Sequence, residues 1–130
     1  MDSVVHFEMP YRDRERVARF YESAFSWQMQ KLGSDMNNYV VATTTETGAD
    51  GRPTTPGAIN GGFFEFKPDW PGMLPGVVIA VDDIRDAMRR VTEAGGKVLG
   101  DPMDIPGVGQ YVSFNDTEGN RVSLLQPMPR

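Results

Sequence analysis

The stretch VVHFEM, Val4 to Met9, reads as a β-strand with two different faces. Successive side chains of a strand point to opposite sides, so Val5, Phe7 and Met9 share an apolar face while His6 and Glu8 share the other. The apolar face is suited to packing against a helix. We therefore expect the opposite face to line a polar cavity, and this cavity would contain the single histidine of the chain.

The same order of elements occurs twice along the chain. A helix is predicted over Asp13–Phe25 after the first strand, and a second over Ile84–Ala94 after the apolar strand Val77–Val81. Each helix is followed by three strand-like segments, which lie at 27–31, 38–45 and 58–66 and then at 97–99, 110–115 and 121–126. The sequence therefore predicts two βαβββ modules.

A βαβββ module covers one face of its sheet with its own helix, and the other face needs cover. We predict an α+β fold in which two modules form a curved, cup-like mixed sheet with the helices on the outside. The single domain would span residues 1–130, with module one at about 1–66, a linker rich in proline and glycine at 67–75, and module two at about 76–130. Unpaired strand edges lead us to expect a homodimer.

Composition narrows the classes of function. The chain has 130 residues and a formal net charge of -5, which argues against nucleic acid as a partner because phosphate binding needs a basic patch. It has no cysteine, so disulfides and thiolate metal sites are excluded. No apolar run approaches the roughly 20 residues that span a bilayer. We therefore expect a cytoplasmic protein that has no membrane partner.

Several phrases of the sequence are typical of one family. They are VHFEMP at 5–10, FSW at 25–27, VDDI at 81–84, AGG at 94–96 and NDTEGN at 115–120. Together they resemble the vicinal oxygen chelate superfamily, which contains glyoxalase I, bleomycin-binding proteins, fosfomycin-resistance enzymes and extradiol dioxygenases. INGG at 59–62 and IPGVG at 105–109 are similar to its glyoxalase-related branch, whose members mostly lack an assigned reaction.

The resemblance also implies where a divalent metal would be bound. The family's metal enzymes take His, Glu or Gln ligands from four strands, at positions that correspond here to Val4, to Asn60 or Gly62, to Gly76 or Val77, and to Ser123. The residues at the first, third and fourth of these positions cannot serve as the usual ligands. A single histidine also excludes a triad of two histidines and one carboxylate, which argues against a dioxygenase. We therefore predict no metal ligand and no cofactor, with a divalent metal kept as the alternative.

His6 and Glu8 are the first candidates for ligand binding. They could grip a polar ligand, act as an acid–base pair, hold a metal, or form a buried pair that only orients strands. Side chains two residues apart on a strand are about 6.6 Å apart, too far for a direct hydrogen bond, so the two groups would flank one ligand.

Three further residues complete the predicted ligand site. Asn60 precedes two glycines that permit a bulge and a close approach of the backbone, so either a ligand or a plain structural bulge explains it. Tyr111 and Ser123, together with Ser113, would face the cavity, because alternation places Val112, Phe114, Val122 and Leu124 towards the helix. Exposure of these hydroxyls at a sheet edge is the alternative.

The aromatic residues Phe20 and Phe25 are predicted to lie in the core between helix and sheet.

These observations favour a metal-independent protein that binds a small organic molecule, of the glyoxalase and bleomycin-resistance type. One alternative is a metal-dependent lyase or isomerase resembling glyoxalase I, in which a metal polarises a substrate oxygen while a carboxylate moves a proton. The other is a non-catalytic module that binds a partner protein.

Overall fold

The computed structural model describes residues 1–70 and 72–129. Pro71 of the predicted linker and Arg130, the last residue of the second predicted module, lie outside the described residues. The chain divides into two compact units, of which the first is His6–Pro75. The second combines Met1–Val5 with Gly76–Arg130, and we call the two the N-terminal and the C-terminal unit.

The N-terminal unit contains one helix on a four-stranded sheet. Its elements are β1 (Val4–Tyr11, in this unit from His6 onward), α1 (Arg14–Phe25), β2 (Gln28–Lys31), a short 3-10 helix (Ser34–Met36), β3 (Val40–Thr43) and β4 (Asn60–Glu65). The strands are hydrogen-bonded in the order β2-β3-β4-β1, and β1 runs parallel to β4 while the other two pairs are antiparallel.

The C-terminal unit repeats this arrangement. Its elements are β5 (Gly76–Ala80), α2 (Ile84–Glu93), β6 (Lys97–Val98), β7 (Met103–Ile105), β8 (Gly109–Asn115) and β9 (Arg121–Pro127). The order is β5-β9-β8-β6, with β7 also paired to β8, and β5 runs parallel to β9. The predicted α+β class and the repeated βαβββ order are confirmed, and β7 is an additional strand.

Strand β7 was not predicted because it is short and is defined by its pairing with β8 rather than by a sequence pattern of its own. It has three residues and pairs with the start of β8 across the turn at Pro106 and Gly107. Gly107 has a φ of 76°, which a glycine adopts without strain, and Val108 donates a backbone hydrogen bond of 3.0 Å to Ile105.

Both helices begin at an aspartate whose side chain caps the first turn. The carboxylate of Asp13 accepts from the backbone N–H of Arg16 at 3.0 Å, and that of Asp83 accepts from Asp86 at 3.1 Å. The two caps are 70 positions apart, which gives the offset between the modules at this point. Helix α2 stops before Gly95, which has a φ of 103°.

Each unit has its own core between its helix and one face of its sheet. In the N-terminal unit Phe7 and Met9 of β1 pack with Val17 and Tyr21 of α1 around the buried Phe63. In the C-terminal unit the core residues are Val81, Ile84, Ala87, Val112, Phe114 and Leu124. The predicted helix-facing sets of β8 and β9 are confirmed, and that of β1 is confirmed at Phe7 and Met9. Val5, the third predicted member on β1, is 39% exposed and lies in neither core.

The prediction that Phe20 and Phe25 are core residues is wrong. They are 56% and 60% exposed. Phe20 makes edge-to-face contacts with Tyr21 and Phe25, and Tyr21 stacks on Trp27. Helical spacing places Phe20 and Phe25 on the apolar stripe of α1, but the contacts of this stripe with the core are made by Val17 and Tyr21. Within the described residues, no helix has the length and apolar character needed to cross a membrane.

We predict that Phe63→Ala lowers the free energy of unfolding by about 3–5 kcal/mol, because it removes a ring that is 2% exposed and leaves a cavity. The matched control is Phe25→Ala in the same unit, for which we expect a loss of about 1 kcal/mol or less. Urea unfolding followed by far-UV circular dichroism measures both, and equal losses would contradict the described core.

Candidate functional site

Three polar side chains of the N-terminal unit form a chain of hydrogen bonds. His6 Nε2 lies 3.0 Å from the hydroxyl oxygen of Tyr39, and this hydroxyl donates to Glu8 Oε2 at 3.0 Å. His6 and Glu8 point away from α1, because Phe7 and Met9 fill the core on the helix side. The phenol thus bridges the gap of about 6.6 Å that separates side chains two residues apart on a strand.

The register of the sheet explains how Tyr39 reaches β1. Glu8 pairs with Gly62 of β4, and Gly62 pairs with Val41 of β3, so the three positions lie in one row across the sheet. Tyr39 lies two residues before Val41, and its ring crosses the backbone of Gly62. A Cβ atom at position 62 would lie 2.0 Å from the Tyr39 hydroxyl oxygen, so only glycine leaves room for the ring.

The backbone around Tyr39 is fixed from two sides. Leu32 donates a backbone hydrogen bond of 2.8 Å to the carbonyl of Tyr39, and the Tyr11 hydroxyl donates one of 2.8 Å to the carbonyl of Asn38. Burial raises the pKa of Tyr11, and the Glu65 carboxylate adds to this, so the phenol keeps the proton that it donates. The segment that carries Tyr39 is therefore held by the same unit that carries His6.

Burial sets the charge of His6. The ring is half-buried, and removal from water lowers the pKa of His6 below its usual value of 6.5, while the charge of Glu8 opposes this to a smaller degree. At neutral pH the imidazole is neutral. A neutral imidazole can accept or donate a hydrogen bond, depending on which nitrogen carries the proton.

A divalent metal site of the kind implied by the family resemblance needs several nitrogen or oxygen donors in one place. Among residues 1–70 and 72–129, no group of three or more His, Cys, Asp or Glu side chains is placed to hold a metal ion. His6 and Glu8 are both hydrogen-bonded to the hydroxyl of Tyr39.

The C-terminal unit contains a second polar cluster, formed by three hydroxyls. The Tyr111 hydroxyl lies 2.6 Å from Ser123 Oγ, and Ser113 Oγ lies 3.0 Å from the same atom. Ser113 and Ser123 are 7% and 6% exposed. They point away from α2, because the alternate residues of β8 and β9 fill the core on the helix side.

Asn60 pairs with His6 in the register of β4 and β1. Its side-chain oxygen accepts hydrogen bonds of 2.8 and 3.2 Å from the backbone N–H groups of Thr44 and Thr45. It therefore fixes the chain where it leaves β3. The bulge considered for this position is not formed, since the pairing of β1 with β4 continues in step through Gly61 and Gly62.

The structure divides the five predicted ligand residues between the units. His6, Glu8 and Asn60 lie in the N-terminal unit, and Tyr111 and Ser123 lie in the C-terminal unit. Their role in binding a ligand stays a prediction.

Tyr39 was missed at the sequence level, although the repeat contains a signal for it. Val41 pairs with Gly62 in the N-terminal unit, and Ser113 pairs with Ser123 at the equivalent place in the C-terminal unit. Tyr39 lies two residues before Val41, as Tyr111 lies two residues before Ser113, so the two tyrosines are equivalent.

Comparison with known proteins agrees with this architecture. The model of the Glyoxalase/Bleomycin resistance protein/Dioxygenase superfamily matches residues 3–124. The chain belongs to this superfamily. A glyoxylase-like domain-containing protein of Didymella fabae is 34% identical over 116 residues, which cover 87% of this chain and 84% of that protein.

Solved structures share the fold at low sequence identity. Methylmalonyl-CoA epimerase from Mycobacterium tuberculosis is 12% identical with a TM-score of 0.69, over 97% of this chain and 88% of that one. A superfamily member from Vibrio splendidus 12B01 is 14% identical with a TM-score of 0.61, over 97% and 99%. At such identities the likeness concerns the fold alone.

We predict that Gly62→Ala displaces the Tyr39 ring, because the new Cβ would overlap the phenol. The resonance of the His6 Cε1 proton should move, and the melting temperature should fall. The matched control is Gly48→Ala, whose Cβ would meet its nearest neighbour at 3.3 Å in an exposed loop and should change neither. The double variant Gly62→Ala/Tyr39→Ala should lose less stability than the two single variants lose together. Strictly additive losses would contradict the contact between Gly62 and the Tyr39 ring.

We also predict that acid weakens the fold through His6. Its pKa in the folded chain lies below 6.5, so the unfolded chain binds the proton more tightly, and stability falls as the pH drops below about 6.5. Unfolding in urea between pH 7.5 and 5.5 should show this loss, and His6→Gln should remove it. A proton NMR titration of this single histidine gives the pKa directly, and a value at or above 6.5 would overturn the prediction.

Proposed function

We propose that the chain binds a small organic molecule on the face of its N-terminal sheet that points away from α1. The observation that carries this proposal is the hydrogen-bonded chain of His6, Tyr39 and Glu8. Burying an imidazole and a carboxylate costs free energy that apolar side chains would avoid. Membership of a superfamily that includes bleomycin-resistance proteins supports a binding role for these groups.

The proposed binding does not depend on a divalent metal. The described residues offer no cluster of three metal-ligating side chains, and the phenol of Tyr39 occupies the space between the only imidazole and its neighbouring carboxylate. The ligand would instead be held by hydrogen bonds whose direction is set by the neutral imidazole. The predicted contacts from Tyr111 and Ser123, the homodimer and the cytoplasmic location stay predictions.

A second candidate function is an isomerase that moves a proton without a metal. It is favoured by a neutral imidazole that is linked through one phenol to a carboxylate, since Glu8 would stabilise the imidazolium formed when His6 takes a proton. The proton would return to another atom of the same molecule, so the reaction needs no further reactant. Exchange of a ligand C–H for deuterium in D₂O, followed by NMR, separates this function from binding alone.

We predict that screening metabolites and antibiotics by thermal shift in the presence of EDTA finds a stabilising ligand. At 100 times its dissociation constant such a ligand adds about 2.7 kcal/mol to the free energy of unfolding. Glu8→Gln and His6→Gln should weaken the effect, whereas the control Glu22→Gln on the exposed surface of α1 should preserve it.

Two results would contradict the proposal. Stabilisation that disappears with EDTA and returns with a divalent ion would favour the metal-dependent lyase or isomerase. The absence of any stabilising ligand, together with the isolation of a stoichiometric complex with a partner protein, would favour the partner-binding module.

A further inference from the structure

The hydrogen bonds around Tyr39 determine which nitrogen of His6 carries the proton. The phenol has one proton, and it is donated to Glu8 Oε2, because an ionised carboxylate can only accept. The Tyr39 oxygen must therefore accept from His6 Nε2, which lies 3.0 Å away. The neutral imidazole consequently has its proton on Nε2 and a lone pair on Nδ1.

The second nitrogen of the ring has no hydrogen-bond partner among the described residues and is not fully buried. Within residues 1–70 and 72–129, the contact with Tyr39 is the one hydrogen bond of the His6 ring, so Nδ1 has no partner there. Every buried side-chain nitrogen or oxygen atom of the described residues has a hydrogen-bond partner. The unpartnered Nδ1 is therefore not a fully buried atom, and it remains available to a ligand.

We infer that Nδ1 of His6 is the atom that meets the ligand, and that it meets it as a hydrogen-bond acceptor. Tyr39 is the positioning residue, since its bond to Nε2 selects the nitrogen that remains available. This inference rests on the proposed function and narrows its ligand class. The ligand presents a hydroxyl or an N–H group at this point, as an alcohol, a phenol or an amide does.

Ligands with only acceptors at this point are disfavoured. A carboxylate, ether or phosphate oxygen facing Nδ1 would need a proton on that nitrogen as well as on Nε2. The ring would then be an imidazolium, and burial opposes that charge. Switching the neutral ring to its other tautomer would instead leave the Tyr39 oxygen without its donor.

Nitrogen NMR of the protein with ¹⁵N-labelled histidine tests the tautomer without any ligand. We expect the spectrum at pH 7.5 to show a protonated Nε2 and an unprotonated Nδ1. Tyr39→Phe should abolish this preference and give a mixture of tautomers. The matched control is Tyr21→Phe, whose hydroxyl makes no hydrogen bond within the described residues, and it should keep the original spectrum.

The ligand class is tested with paired fragments, such as phenol and anisole, that differ by a methyl group on the donor oxygen. We expect the hydroxyl member to shift the resonance of the His6 Cε1 proton, and its O-methyl partner to bind about tenfold more weakly. Tyr39→Phe should reduce this discrimination, while Tyr21→Phe should not.

The outcomes of these experiments distinguish a failure of the inference about Nδ1 from a failure of the proposed ligand binding. A proton on Nδ1 in the unaltered protein overturns the inference and leaves the binding proposal standing. Equal binding of both members of every pair also overturns it. The expected tautomer, combined with no response to any fragment or metabolite, overturns the binding proposal itself.

Discussion

The missing side chain at position 62 is the constraint on which the polar site depends. The Tyr39 ring occupies the volume that a Cβ atom would take, with the phenol oxygen 2.0 Å from that point. Because the ring can lie across β4, its hydroxyl reaches β1, two strands away from the strand that Tyr39 precedes. The link between imidazole and carboxylate, and hence the proton position on His6, follows from one glycine.

The two units show what the same register does with different side chains. In the C-terminal unit the position that corresponds to Gly62 is Ser123, and the hydroxyl of Tyr111 stops there at 2.6 Å. In the N-terminal unit Gly62 has no side chain, and the hydroxyl of the equivalent Tyr39 contacts His6 and Glu8. The first strand of each unit differs as well, because Val78 of β5 pairs with Ser123 where Glu8 of β1 pairs with Gly62. Side chains on both strands therefore set whether the phenol joins a hydroxyl cluster or an ionisable pair.

Patterns that depend on local geometry were readable from the sequence. Alternation gave the faces of β8 and β9 and that of β1 at Phe7 and Met9, and helical spacing gave the two helices. Contacts that depend on how the strands pair could not be read from the sequence. Tyr39 lies 33 residues from His6 and just outside β3, so its contact requires the register of three strands. The prediction for Phe20 and Phe25 was wrong because helical periodicity gives the direction of a side chain but not which part of the apolar stripe packs on the core.

A site built from an imidazole, a phenol and a carboxylate recognises molecules differently from a metal centre. A divalent ion attracts any suitably placed oxygen through its charge, and so it tolerates carbonyl, carboxylate and water alike. A chain of directed hydrogen bonds instead distinguishes donors from acceptors, because a buried polar group with the wrong partner loses its bond without regaining water. Position 62 controls this chain of hydrogen bonds without itself carrying a polar side chain, so we expect substitutions there to alter the proposed recognition while His6 and Glu8 stay unchanged.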